Sequence, residues 1–228
     1  MSQTSRSHYE FEPELPVSGI QAGTNLLVTG PSESGARKVA LRLVMDGMMR
    51  DEGALFVSAD VPAQSLLRRC ESITSPIDRT RLAIVDCASS GVDEQRRFES
   101  RYESIDGPGD LAAINVELSI LYETLAEQEL PGIRMGVSSI SSLLLHAPFQ
   151  DVSRFIHMLT GRVIATDDLG VYLADESALE ETALDSLSAF CDGCVDVRNG
   201  DETSFEFRIR GLDSHSEDWR PLDVDTSE

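Results

Sequence analysis

The chain has 228 residues, 41% of them hydrophobic, and 40 Asp and Glu against 19 Lys and Arg give it a formal net charge of −21. Such an acidic chain is disfavoured as a nucleic-acid binder, because proteins that bind a phosphate backbone need a basic footprint. No segment has about 18 uninterrupted apolar residues, and the N-terminus lacks the apolar core of a signal peptide. The sequence therefore predicts no nucleic-acid or membrane partner and a cytoplasmic protein, long enough for one α/β domain.

Lysine is almost absent from the sequence. Lys38 is the only one, so nearly all positive charge is arginine. An acidic, lysine-poor chain with an ordinary hydrophobic fraction is typical of the proteins of halophiles, in which salt screens the self-repulsion. The alternative is an ordinary acidic protein with an acidic tail.

The halophile interpretation predicts a dependence on salt. We expect the fold to lose stability when KCl drops from molar concentrations to about 0.1 M, because longer-range repulsion among the carboxylates is then no longer screened. Thermal unfolding across a KCl series measures this effect. A melting temperature that stays flat or rises on dilution would count against the halophile interpretation.

Strands and helices alternate through the first half of the chain. Residues 1–16 form a polar, proline-punctuated segment that is predicted to lie over the surface or to be disordered. Short apolar runs at 25–29, 54–59 and 81–85 are predicted to be strands, and helical patterns follow the first two of them. This rhythm predicts right-handed βαβ units and a parallel sheet.

The second half continues this pattern and then changes. Residues 89–109 are polar and charged, which predicts an exposed loop of undetermined role. Helices and strands then alternate again, with strands at 133–137 and 170–174. Apolar residues that alternate with polar ones on both sides of Asn199-Gly200 predict a terminal β-hairpin with a tight turn. The predicted domain therefore covers residues 17–215, and an acidic tail follows at 216–228.

The four cysteines do not predict a metal site. Only Cys191 and Cys194 form a C-x-x-C pair, and no second pair lies at zinc-ligand spacing. We interpret the two thiols as small hydrophobic groups between a helix end and a strand start. A metal or redox role is the alternative.

Residues 25–43 are the most informative stretch. An apolar strand, a loop bounded by Gly30 and Gly35, and a helical pattern follow one another, which is the layout of a phosphate-binding loop. The full motif reads G-x-x-x-x-G-K-[ST]. Here Ala36 replaces the lysine and Arg37 replaces the hydroxyl that holds Mg²⁺. The residues of this vestigial loop are Gly30, Pro31, Ser32, Glu33, Ser34, Gly35, Ala36 and Arg37.

The order of the motifs resembles the RecA-type P-loop ATPases, and most closely their KaiC-like branch. F-V-S-A-D at the end of the second strand, R-M-G-V-S-S-I-S-S-L-L at the Walker B place, and F-R-I-R-G followed by a histidine are similar to segments of that branch. The set is most similar to small KaiC-like proteins of haloarchaea that are related to the gas-vesicle regulator GvpD. The resemblance implies a RecA-like three-layer α/β sandwich, with a mostly parallel central sheet, helices on both faces and a C-terminal β-hairpin.

The resemblance also implies what the chain lacks. In the family the loop lysine neutralises the phosphates, and the next hydroxyl and the Walker B aspartate hold Mg²⁺. Ala36 supplies no charge, and the guanidinium of Arg37 cannot ligate a metal. Ser138 matches the Walker B aspartate, and serine is a poorer ligand for a hard dication. Glu33 adds a carboxylate to the loop, where it would repel a triphosphate.

Three further residues match functional positions of the family. Asp60 matches the carboxylate that orients the attacking water and is the candidate catalytic residue; its alternative role is to cap the helix that follows it. Arg208 and Arg210 match basic residues that reach a neighbouring subunit's nucleotide, and their alternative is a solvated hairpin face. Asp86 and Asp175 also follow strands, at the edge where α/β sheets bind ligands.

The sequence therefore favours a degenerate KaiC-like protein with a non-catalytic regulatory, signalling or scaffolding function in a halophilic archaeon. Its partner would be another protein or further copies of the chain. No cofactor is assigned, and binding of ATP and Mg²⁺ is expected to be weak. The alternative function is a weak ATPase or nucleotide sensor that uses Arg37 or Lys38 in place of the loop lysine.

Overall fold

A nine-stranded sheet forms the middle layer of the protein, in a computed structural model that describes residues 8–12, 15, 17, 19–88, 102–105, 107–200, 205–213 and 215–222. The strands are β1 (His8–Tyr9), β2 (Ile20–Gln21), β3 (Asn25–Gly30), β4 (Gly53–Ser58), β5 (Leu82–Asp86), β6 (Tyr102–Ser104), β7 (Ile133–Val137), β8 (Leu169–Asp175), β9 (Gly193–Asn199), β10 (Phe205–Arg210) and β11 (Arg220–Leu222). The helices are α1 (Ala36–Met45), α2 (Ala63–Ile73), α3 (Leu111–Ala126), α4 (Ile140–Leu144), α5 (Phe149–Thr166) and α6 (Glu181–Ser188). Among the residues described, no helix combines the length and apolarity that crossing a bilayer requires.

The sheet has the strand order β11-β10-β9-β3-β8-β7-β4-β5-β6, with β1 and β2 paired separately. The seven strands from β9 to β6 in this order run parallel to one another. Strand β10 pairs antiparallel with β9, and β11 pairs antiparallel with β10. Strand β3 is an inner strand, between β9 and β8. Parallel strands that are covered on both faces read as continuous apolar runs, which is why the sequence predicts β3, β4 and β5 well.

Helices cover both faces of the sheet. Helices α1 and α2 pack on one face, against residues such as Leu26 and Val28 of β3. Helices α3, α5 and α6 pack on the other face, against a cluster that includes Leu27. Successive side chains of a strand point to opposite faces, so β3 contributes to both layers of the core. The predicted three-layer sandwich is confirmed.

The N-terminal segment is part of the core, so the prediction that residues 1–16 lie over the surface is wrong for the part that the structure describes. Strand β1 pairs with β2, and the side chains of Tyr9, Phe11 and Leu15 are buried. The Tyr9 hydroxyl also donates to the main-chain carbonyl of Asp167 at 3.2 Å. These apolar side chains are separated by charged residues and prolines, and the segment therefore reads as polar although it packs.

A fully buried arginine explains what the N-terminal segment covers. Arg134 has no exposed surface, and its Nε lies 2.5 Å from a carboxylate oxygen of Glu52. It lies 3.5 Å from Asp46 and donates to the carbonyls of Leu43 and Glu10, both at 2.8 Å. The two aromatic rings of the N-terminal segment lie over the guanidinium, with ring centroids 5.4 and 4.5 Å from its carbon. Burial raises the pKa of Asp46, although the nearby charge of Arg134 pulls it down.

Two other predictions need correction at the edges of the sheet. Residues 102–104 are not loop but β6, which pairs in parallel with β5, while residues 89–101 lie outside the described part. At the other edge β11 pairs with β10, so part of the predicted tail is a strand. The terminal hairpin is confirmed, but Asn199 pairs with Phe205, and its connection is therefore longer than the predicted tight turn.

The cysteines have the surroundings of structural residues. Cys191 lies in the turn after α6, and Cys194 lies in β9. Burial raises the pKa of both thiols, and it raises the pKa of Cys70 and of Cys87 to about 12. Within the described ranges, no group of three or more His, Cys, Asp or Glu side chains could hold a metal ion.

Candidate functional site

The loop between β3 and α1 keeps the backbone constraints of a phosphate-binding loop. A Cβ atom on Gly30 would lie 2.4 Å from the hydroxyl of Ser34 and from the carbonyl oxygen of Val197, so no other residue fits there. Gly35 has φ 77°, a left-handed conformation that favours glycine, and it precedes the first residue of α1. The two glycines of the sequence motif are therefore present for structural reasons.

Two serine side chains of the loop form hydrogen bonds within the protein. Ser34 is buried, and its hydroxyl donates to the carbonyl of Pro31 at 2.7 Å. Ser32 is exposed, and its hydroxyl donates to the carboxylate of Asp175 at the end of β8. Glu33 is exposed. The loop is thus fixed from within by Ser34 and from the neighbouring strand by Asp175.

Arg37, Asp60 and Ser138, which the sequence analysis singled out separately, form one cluster. Arg37 Nη1 lies 2.5 Å from Asp60 Oδ2 and donates to the carbonyl of Ser138 at 3.2 Å. The Ser138 hydroxyl donates to the other carboxylate oxygen of Asp60 at 2.6 Å. It also accepts from the main-chain N–H of Ala59 at 3.1 Å. The side chain that replaces the metal-binding hydroxyl therefore bridges the residues that follow β4 and β7.

Asp60 does not cap the helix that follows it. The carboxylate that accepts from the first N–H of α2, on Ala63, belongs to Asp86 at a distance of 2.8 Å. Strands β4 and β5 are neighbours, and the end of β5 therefore lies beneath the start of α2. The helix-cap alternative for Asp60 is wrong, and the carboxylate is instead bound in the cluster with Arg37. Its predicted catalytic role stays a prediction.

Arg37 and Lys38 leave helix α1 in different directions. Consecutive residues of a helix are separated by about 100°, so the two side chains cannot both face the same group. Arg37 takes the direction towards Asp60, and 36% of its side chain remains exposed. Of these two cations, Arg37 is the one placed beside Ser138, the predicted Walker B position.

The residues present do not fit a magnesium–nucleotide complex. Magnesium prefers carboxylate and water oxygens in octahedral geometry, often with a hydroxyl from the loop. The loop offers Ala36 and Arg37 at the two decisive positions, and the strand end offers Ser138. The carboxylate of Asp175 accepts hydrogen bonds from Ser32 and Ser177, and that of Asp60 is neutralised by a guanidinium at 2.5 Å. A dication would have to displace that guanidinium to reach the carboxylate.

Asp175 links the loop to a groove. Its main-chain N–H donates to the hydroxyl of Ser141 at 3.0 Å, and its carboxylate accepts from Ser32 and Ser177. Burial opposes ionisation, but the hydrogen bonds from Ser177 and Ser32 outweigh it and lower the pKa of Asp175. Together with Arg37, this carboxylate lines one end of a groove of about 650 Å³.

Arg208 and Arg210 are paired within their own chain. Both lie on the polar face of the hairpin, and each places its Nε 2.7 Å from Asp196 Oδ2. Asp196 also accepts from the hydroxyl of Thr29, the residue before Gly30, at 3.0 Å. Burial disfavours the charged carboxylate, but the hydrogen bonds from Arg210 and Arg208 prevail and lower the pKa of Asp196. A role of the two arginines towards a neighbouring subunit stays a prediction.

The three-layer sandwich with a glycine-bounded loop after the inner strand β3 defines a RecA-like α/β domain. The sequence profile of DUF7504, described as a family of unknown function, matches residues 23–197, and the chain belongs to this family. Comparison with curated proteins gives no match.

Among solved structures, the chain is similar to the crystal structure of the KaiC-like protein PH0186 from the hyperthermophilic archaeon Pyrococcus horikoshii OT3. The two share 18% sequence identity over 95% of this chain and 93% of that one, with a TM-score of 0.68. This similarity places the fold among KaiC-like domains, in agreement with the resemblance seen in the motifs.

Proposed function

We propose that this chain is a non-catalytic regulatory or scaffolding protein, built on a KaiC-like frame, that acts in a halophilic archaeon through a protein partner. The observation that carries the proposal is the ion pair between Arg37 and Asp60, closed by the hydroxyl of Ser138. The candidate catalytic carboxylate is held by the side chain that replaces the magnesium ligand. Both oxygens of the Asp60 carboxylate have a partner within this cluster.

The missing electrostatic groups also favour a non-catalytic protein. Phosphoryl transfer depends almost entirely on positioning and on electrostatic stabilisation of the transferred group. Removing one such stabilising contact typically raises a barrier by about 3 kcal/mol. Here the lysine, the hydroxyl and the Walker B carboxylate are replaced together, at Ala36, Arg37 and Ser138.

A nucleotide sensor is the second candidate, and one observation favours it. The guanidinium of Arg37 is partly exposed and lines the groove that opens beside the loop. If it leaves Asp60, it could place its charge over phosphates bound at the start of α1. A sensor of this kind would bind ATP without turning it over efficiently.

We expect ATP turnover at background level in molar KCl with Mg²⁺, because the charge-stabilising groups of the loop and of the Walker B position are missing. Phosphate release measured for the parent and for Asp60→Asn tests this. The substitution is close to isosteric and removes the charge of the candidate catalytic carboxylate, which is also the ion-pair partner of Arg37. Release well above the blank that Asp60→Asn abolishes would establish an enzyme and contradict the proposal, whereas release at the level of the blank in both proteins supports it.

A further inference from the structure

A groove at the carboxyl edge of the sheet has apolar walls and one unusually exposed leucine. It lies between the junction of α4 with α5 and the segment that leads into α6, and it encloses about 650 Å³. Leu145 has 81% of its surface exposed, the highest value among the large hydrophobic residues described. Leu143, two residues earlier, is fully buried and belongs to the core, which Leu145 does not. The half-buried side chains of Leu144, Phe149 and Leu179 continue the apolar surface along the groove.

We infer that this groove binds an amphipathic helical segment of a partner protein, with apolar side chains on Leu145 and Phe149 and basic side chains beside Glu180 and Asp175. The volume lies within the range of about 300–1,000 Å³ of ligand-binding clefts. A helix that places its apolar face in a hydrophobic groove is a common mode of peptide recognition.

Charge complementarity indicates the chemistry of the partner. Two carboxylates line the groove, Asp175 at its inner end and Glu180 beside α6. Arg37, which also lines it, is already neutralised by Asp60. The net field is therefore negative, which attracts Lys and Arg on the flanks of an apolar segment and repels acidic ones.

The same charge disfavours a second copy of the chain as the occupant. Two copies would each bring a formal charge of −21 to the contact. In 1 M salt, where the Debye length is about 3 Å, this repulsion acts only between carboxylates that meet at the contact itself, and it opposes self-association there. A basic amphipathic segment from another protein avoids this cost.

The groove and the loop share residues, so occupancy of one can affect the other. Asp175 accepts from Ser32 in the loop, and Arg37 lies in the first turn of the helix that follows the loop. A basic side chain that binds Asp175 competes with Ser32 for its oxygens. The inference deepens the proposed function, because it rests on the chain's acting through a protein partner, and it names the surface involved.

The probe is a labelled synthetic peptide of about 18 residues, roughly five helical turns, with leucines at i, i+3, i+4 and i+7 and lysines or arginines on the flanks. Fluorescence anisotropy is measured in 1 M KCl, where non-specific attraction between a cationic peptide and an acidic protein is largely screened. We expect Leu145→Asp to weaken binding by about tenfold or more, as for a central apolar anchor. Ile164→Asp, on an exposed position of α5, is the matched control and should bind like the parent.

The polar part of the groove has its own pair of variants. Glu180→Gln should weaken binding by several fold, whereas Glu127→Gln, an exposed carboxylate at the end of α3, should not. A peptide of the same composition with its leucines scrambled should bind about tenfold less tightly.

Three outcomes would overturn the inference. They are unchanged binding by Leu145→Asp, an equal loss in Ile164→Asp, and a dimer in sedimentation that Leu145→Asp converts to a monomer. Melting temperatures of the variants verify that each still folds, which the exposure of Leu145 favours. Because ATP turnover is measured separately, failure of peptide binding leaves the non-catalytic proposal standing, and turnover that depends on Asp60 would refute that proposal without touching the groove.

Discussion

Replacement of Arg134 by methionine is expected to lower the free energy of unfolding by about 3–5 kcal/mol, the usual scale for removing one partner of a buried ion pair. Arg134 has no exposed surface. Its guanidinium forms ion pairs with Glu52 and Asp46 and donates hydrogen bonds to two main-chain carbonyls. Methionine fills a similar volume but leaves the carboxylate of Glu52, itself fully buried, without this cation. Chemical denaturation in molar KCl measures the loss.

Two further variants separate the buried ion pair from a general loss of charge. Arg79→Met removes an arginine whose ion pair with Glu71 is exposed, and it should lower the free energy of unfolding by less than about 1 kcal/mol. Arg134→Met combined with Glu52→Leu removes both buried partners and should recover part of the loss. If Arg134→Met lowers the free energy of unfolding no more than Arg79→Met does, the buried ion pairs of Arg134 do not stabilise the fold as their contacts indicate.

The loss in Arg134→Met should also depend on pH. Burial raises the pKa of Asp46, and the variant lacks the cation at 3.5 Å that lowers it. A carboxyl group whose pKa is higher in the folded state adds stability below its unfolded pKa, and this contribution is lost as the pH rises through the folded value. The difference between parent and variant should therefore shrink as the pH falls from 7 towards about 4, near the unfolded pKa of aspartate.

The sequence predicts local features of this fold well and long-range ones poorly. The loop and its flanking elements lie within residues 25–45, so spacing alone places Gly30 and Gly35. Arg134 lies in an apolar run and gives no sign of its partners, because Glu52 and Glu10 are 82 and 124 positions away. The buried aromatic rings of the N-terminal segment, on Tyr9 and Phe11, were missed for the same reason.

The candidate site shows the same division. Asp60 and Asp86 both follow a buried strand, and periodicity cannot tell which one caps α2. The order of the strands decides it, since the end of β5 lies under that helix. Asp196 was missed, although the alternation of β9 and β10 places it across from Arg208 and could have indicated an ion pair. The edge strand β6 has no apolar run, and its pairing depends on β5.

Arg37→Ala is expected to leave ATP affinity unchanged in calorimetry, while Ala36→Lys combined with Arg37→Thr should create or strengthen magnesium-dependent binding. The first expectation follows because Arg37 is bound to Asp60 and Ser138 and contributes nothing to a phosphate site in that position. The second follows because the loop glycines already have the required conformations, and the double substitution restores the lysine and the hydroxyl of the motif.

Loss of an arginine also makes an acidic protein more repulsive to ATP, so the charge itself needs a control. Arg68→Ala removes the same charge from an exposed position on α2. Asp60→Asn with Arg37→Ala keeps the net charge of the parent and removes the whole ion pair. In the non-catalytic protein, all three variants bind ATP as weakly as the parent does.

The nucleotide sensor makes the opposite prediction for the same variants. If Arg37 leaves Asp60 to bind a phosphate, Arg37→Ala should weaken ATP binding by about 1–3 kcal/mol, the scale of a charge-assisted hydrogen bond. Asp60→Asn alone should then strengthen binding, because it removes the carboxylate that competes for the guanidinium. The start of α1 provides some anion affinity in either case, so the comparison depends on the change between variants. A loss in Arg37→Ala that Arg68→Ala does not share would establish the sensor and refute a vestigial loop.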